Sequence, residues 1–166
     1  MENIRMKKII AVFVLISTLT ISAHAETIIT GPSLGYRMEN FTVRTFFHSI
    51  HMGFGFGYIA QNEFTFLFNT GFSWNFNLPI CGTLAQFIFG RTFRSQNDKL
   101  HLMIGAGIGG IILPYFSVDI PLQLSIDYYF NNKYGISFTI NNSIGYVIPL
   151  AFKNTFIVSI GPKFKL

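Results

Sequence analysis

The chain has 166 residues and a formal net charge of +5, yet half of it is hydrophobic, 20 residues are Phe and only 11% are charged. A soluble domain ordinarily carries about 25% charged residues, so this composition argues against a water-facing surface. Cys81 is the one cysteine, which excludes an intramolecular disulfide and a cysteine-held metal.

The N-terminus reads as a targeting segment. Arg5, Lys7 and Lys8 form a basic head, Ile9 to Ile21 an apolar stretch, and Ser22-Ala23-His24-Ala25 an A-x-A cleavage site. That is a secretory signal peptide over residues 1–25, cleaved after Ala25. A single domain over residues 26–166 is left. Nine Lys/Arg and six Asp/Glu remain there, a net +3, which makes no case for a nucleic-acid partner. No later run of about 20 apolar residues is available to span a bilayer as a helix.

Beyond the leader the residues alternate with a period of two, the mark of strands with one greasy and one polar face. The first strand, about Ile28 to Arg37, sets Ile28, Thr30, Pro32, Leu34 and Tyr36 against Ile29, Gly31, Ser33, Gly35 and Arg37. A connection over residues 38–45 leads to a second strand, Phe46 to Ile59. There Ile50, Met52, Phe54, Phe56 and Tyr58 oppose His51, Gly53, Gly55 and Gly57. The third, Phe64 to Phe76, is greasy at Phe64, Phe66, Phe68, Phe72, Trp74 and Phe76. The fourth runs to Arg94 with Ala85, Phe87, Phe89 and Phe93 on the greasy side. Arg91 shares that parity, so either it snorkels at an interface or a bulge shifts the register.

The fifth strand, Lys99 to Ile112, sets Leu100, Leu102, Ile104, Ala106 and Ile108 against His101, Met103, Gly105, Gly107 and Gly109. The clearest alternation comes next, Val118 to Phe130 and Tyr134 to Ile144, joined by a tight turn at Asn131-Asn132-Lys133. The last strand runs from Phe152 to Leu166. Prolines 79, 114 and 149 recur every 35 residues, one hairpin apart.

Eight strands of this length, greasy on one face in an exported chain, predict an all-β fold: an eight-stranded antiparallel up-and-down transmembrane β-barrel. Tyr58, Phe64, Phe93, Tyr128, Phe130, Tyr134 and Phe164 then form a periplasmic aromatic girdle. Tyr36, Phe46, Trp74, Phe76, Tyr115, Tyr146 and Phe152 form an outer one. The alternative, a secreted lipocalin-like carrier with its apolar face inside, overfills a narrow barrel with Phe and leaves a nearly uncharged exterior.

With its leader, alternation, short turns on one side and apolar last strand, the chain resembles the small eight-stranded outer-membrane barrels of the OmpA, OmpX and OmpW type. It departs from them in ending Phe164-Lys165-Leu166 instead of on an aromatic residue. The Leu terminus and Phe-rich strands look more like small barrels of spirochaetes. The resemblance implies a home in outer-membrane lipid, reached through periplasmic chaperones and the barrel-assembly machinery, with no cofactor.

The polar face assigns Arg37, His51, Gln86, Arg94, His101, Asp119, Gln123, Asp127 and Lys163 to the lumen, with Arg94, His101 and Asp127 forming a network at the periplasmic mouth. Gly53, Gly55 and Gly57 line one wall, and Gly105, Gly107 and Gly109 another. They either permit tight curvature or leave a slot for water or a thin apolar solute. Pro32 and Pro162, on the two strands that close the barrel, each remove a ladder donor. His48, Ser49 and His51 form no triad, because His48 and Ser49 face opposite ways and no carboxylate orients either histidine. No metal-ligand cluster is present, and the chain reads as a non-enzyme. Its expected function is a narrow passive pore, with a small solute in the lumen, or a structural envelope component. The alternative is a non-conducting barrel that binds a partner through loop one (Glu39, Asn40, Arg44) and Cys81.

Overall fold

The computed structural model describes residues 26–41, 46–76, 81–113, 115–148 and 151–166. The leader, Arg44 and the repeating loop prolines lie outside these residues. Eight strands succeed one another: β1 (Glu26–Phe41), β2 (Phe46–Ile59), β3 (Phe64–Asn75), β4 (Cys81–Arg94), β5 (Leu100–Leu113), β6 (Ser117–Tyr129), β7 (Tyr134–Val147) and β8 (Ala151–Lys165). Each pairs antiparallel with the next, and β8 returns to β1, so the sheet closes into a barrel. Closure satisfies the backbone groups within the wall and leaves no edge.

At the end where β1 begins and β8 finishes, two of the short turns are built alike. Ala60-Gln61-Asn62-Glu63 and Ser95-Gln96-Asn97-Asp98 lie 35 residues apart, and Glu63 and Asp98 both take left-handed backbone conformations, φ 65° and 53°. Asn62 and Asn97 each accept the backbone N–H two residues on, from Phe64 and Lys99, both at 3.2 Å. The spacing of the loop prolines therefore extends into the turns.

Phenylalanine covers the outside. Phe56, Phe68 and Phe87 sit side by side on β2, β3 and β4, with ring centroids 5.4 and 5.0 Å apart, cross-strand pairs of the kind that stabilise a sheet. Leu34, Phe72, Trp74, Ile104, Ile120, Leu122 and Ile160 are likewise exposed. Such an exterior suits hydrocarbon, and the arrangement with phenylalanine inside is not the one adopted. Tyr134 with Phe164, and Tyr146 with Phe152, pack edge to face at opposite ends of β7 and β8.

Two expectations change, and the choice left open at Arg91 is decided. The face assigned to Ile28 and Thr30 is wrong, because Ile28 is buried inside. Between Thr30↔Gly55 and Ser33↔Gly53, the two residues Gly31-Pro32 oppose the single Phe54. This bulge swaps the faces of β1, and it interrupts the ladder to β8 at the same place, opposite Gly161-Pro162. Tyr115 leaves the outer girdle and turns into the lumen, where its hydroxyl reaches Glu39. Arg91 snorkels: its register with Phe64 and Ile104 is unbroken, and its guanidinium lies 3.7 Å from Glu63 in the adjacent turn. The Phe46 side chain lies outside the described ones.

Candidate functional site

An eight-stranded barrel leaves an interior just wide enough for side chains, so the lumen is the place to look for function. It is filled in layers. At the loop end, Arg37 on β1 donates to Ser73 at 2.9 Å and pairs with Glu39 at 2.5 Å. Glu39 also accepts from the Tyr115 hydroxyl at 2.6 Å and from Thr155 at 3.3 Å. Lys153 on β8 holds Asp119 on β6 at 2.7 Å and lies 3.8 Å from Glu39. His51 Nδ1 and Ser73 Oγ are 3.0 Å apart. Burial and the neighbouring Glu39 carboxylate both push the Tyr115 hydroxyl pKa upward, so it stays a donor.

Leu84, Ile111 and Ile157 form one apolar cluster, with Tyr115 packed on it. An amide group includes Asn69, Gln86, Gln123 and Asn141: Asn69 donates to Gln123 at 2.7 Å and Asn141 to Gln86 at 2.9 Å. These amides, with Ser125, Thr139 and Lys163, line a cavity of about 50 Å³, room for a few waters. A second apolar cluster contains Ile28, Ile59, Leu67, Ile88 and Met103.

At the terminal end, Asp98 accepts from His101 Nε2 and from Lys165, both at 2.7 Å. The Lys165 ammonium sits 4.2 Å from the Tyr129 ring centroid, a cation–π contact. Partial burial opposes ionisation of Asp98, but its bonds to Lys165 and His101 prevail and hold its carboxyl below the usual range. Arg94 pairs with Glu26 at 3.2 Å.

The expected Arg94–His101–Asp127 network does not form. Arg94 and His101 turn to Asp98 in the neighbouring turn, at 3.8 and 2.7 Å. Asp127 instead pairs with Lys163 at 2.5 Å and accepts from Ser137 at 2.6 Å. Arg37, His51, His101, Asp119, Gln123 and Asp127 all lie buried inside the barrel.

Gly57, Gly105, Gly107 and Gly109 leave no slot. A Cβ on Gly57 would fall 2.6 Å from Leu67 Cδ2, one on Gly105 2.7 Å from Met103 Cε, and one on Gly109 2.6 Å from Gln86 Cγ. At Gly107 it would meet the Phe87 carbonyl oxygen. Gly53 and Gly55 line the cavity, although His51 and Asn69 lean over them.

Sequence reasoning missed Glu39, Asp98, Tyr115, Lys153 and Lys165 as lumen partners. It also missed the apolar layers, whose signal was the inward parity of Leu67, Leu84, Ile88 and Ile157 among polar neighbours. Glu39 moves from loop one into the lumen, and Asn40 joins β1 opposite Asn154 on β8.

These features define a closed eight-stranded membrane-spanning barrel with a side-chain-filled lumen. The chain belongs to the family described as "Domain of unknown function (DUF2715)", which matches residues 9–166. No curated protein matches the sequence. Among solved structures, Neisserial surface protein A (NspA) is similar at 12% identity and TM-score 0.65, covering 87% of this chain and 100% of that one. The outer membrane protein Ail of Yersinia pestis is similar at 10% identity and TM-score 0.50, covering 86% and 100%. At these identities the likeness is one of fold.

Proposed function

We propose that this chain is an outer-membrane protein with a structural role, a closed barrel that occupies the membrane without opening a path through it. The observation carrying this is the pair of apolar layers, Leu84-Ile111-Ile157 and Ile28-Ile59-Leu67-Ile88-Met103. A narrow passage would need both layers to part, and the cavity of about 50 Å³ is too small for a solute larger than water. The names of two structural neighbours, a surface protein and an outer membrane protein, favour the outer membrane. Glu39 lies inside the barrel and Asn40 within β1, which removes two of the three loop-one residues on which the partner-binding alternative relies.

A catalytic role has little support. His51 and Ser73 sit at a base-to-nucleophile distance, but Arg37 already donates to the same Ser73 oxygen and both side chains are buried. Among the described residues, no carboxylate pairs with His51 to orient it.

Planar-bilayer recording of the refolded protein tests the proposal. No channel events are expected at physiological salt, and stepwise conductance would overturn it.

A further inference from the structure

The lipid face is apolar at nearly every position, and its polar exceptions are mostly accounted for. Tyr36 hydrogen-bonds His48, Thr70 donates to the Leu84 carbonyl at 3.0 Å, and Arg91 reaches Glu63. Thr83 has an unpaired hydroxyl but stands near the loop end of β4.

Asn142 is different. It shares its face with Leu122 on β6 and Phe156 on β8, both paired with it, and Ile140 and Ile144 flank it along β7. Its Oδ1 is covered by neighbouring side chains in the single barrel and has no hydrogen-bond partner among the described residues, so only a turn of the side chain brings it to the lipid surface. Tyr146 stands four residues towards the loop end and Tyr134 eight residues the other way. With a strand rise of ~3.4 Å and a tilt of ~45°, Asn142 lies about 10 Å inside the Tyr146 level, in hydrocarbon. A carboxamide there has no water to bond, and leaving it bare is costly. Asn154, exposed on the neighbouring strand and one diagonal step away, enlarges the polar spot.

We infer that Asn142 marks the contact through which two copies of this barrel pair in the membrane. A carboxamide both donates and accepts, so it is its own complement. A two-fold axis along the membrane normal brings the same residue of each copy to the same depth. Rotation about χ2 presents Oδ1 to the partner's Nδ2, and the reciprocal bond forms with it. Asn154 of each copy adds a second pair nearer the loop end. Carboxamides join membrane-embedded segments in this way because lipid offers no competing partner.

The test uses the full chain in a Cys81→Ala background, refolded into phosphatidylcholine vesicles. Leu122→Cys, beside Asn142 on the same face, is expected to form an oxidant-driven crosslinked dimer, and Phe68→Cys on the opposite wall is not. Energy transfer between labelled copies should show association that weakens about tenfold in Asn142→Leu. The heat-dependent gel shift of that variant should match the parent, which separates lost pairing from lost folding. Equal crosslinking at both positions, or unchanged association in Asn142→Leu, would overturn the inference. So would a chain that stays monomeric with Asn142 bonded to lipid.

Discussion

Asp119 on β6 and Lys153 on β8 meet inside the barrel at 2.7 Å, with both side chains wholly shielded from solvent. The other carboxylate oxygen of Asp119 has no partner among the described residues and lies against Gly145, where a Cβ would collide with it. Lys153→Met alone leaves a buried carboxylate uncompensated and should cost about 3–5 kcal/mol. Adding Asp119→Asn keeps the shape and removes the charge, so the double variant should recover most of that loss. Urea unfolding midpoints in vesicles measure both.

The glycines predict a graded series. At Gly107 a Cβ would run into the backbone carbonyl of Phe87, whereas at Gly82 the nearest atom is Arg37 Nη1 at 3.3 Å, tight but without collision. Gly107→Ala should therefore destabilise the barrel by about 1–3 kcal/mol and Gly82→Ala by much less. Equal effects in the same unfolding assay would contradict the close approach of β4 and β5.

Acid should loosen the terminal end. Asp98 ionises more readily in the folded barrel because Lys165 and His101 bond its carboxylate. A depressed folded-state pKa stabilises above the unfolded value of about 3.9 and ceases to as pH falls through the folded one. Asp98 is half exposed, so the effect should stay within about 1 kcal/mol. Comparing wild type with Asp98→Asn between pH 7 and 3 should show a gap at neutral pH that narrows as pH falls below about 3.9.

Trp74 is the single tryptophan and lies exposed on the lipid face near the loop end of β3. On insertion into vesicles its emission should shift to the blue. Bromines near the headgroups should quench it more than bromines at the chain ends, because aromatic side chains at strand ends sit at the interface. Stronger quenching from the bilayer centre would mean a different depth for the whole barrel.

The strand pattern was legible because a one-residue slip exposes every wrong side chain at once. Val118–Phe130 and Tyr134–Ile144 read in register without help. The first strand misled because Ile28 and Ile29 are both apolar, so alternation cannot say which faces in, and the Gly31-Pro32 bulge reverses the answer. Lumen partners were less legible than lumen positions. Parity places Asp127 inside, but whether it meets His101 or Lys163 depends on how strands distant in sequence lean across the interior. Glu39 comes after Arg37 in a mixed run, Met38-Glu39-Asn40, which looks like a loop until Tyr115 and Thr155 come to it from 76 and 116 residues away. Asn142 was visible as the one gap in an otherwise even series of bulky residues on β7.

The last strand carries a further consequence for biogenesis. Lys153, Lys163 and Lys165 all belong to β8, and they answer Asp119, Asp127 and Asp98, made earlier in the chain. Until β8 arrives, the nascent sheet holds three carboxylates without these counterions. Attraction therefore pulls the final segment inward and sets its alignment, since a slip by one residue would turn every ammonium towards lipid. The seam shuts by charge as well as by backbone pairing, and a barrel assembled without those lysines should stall open.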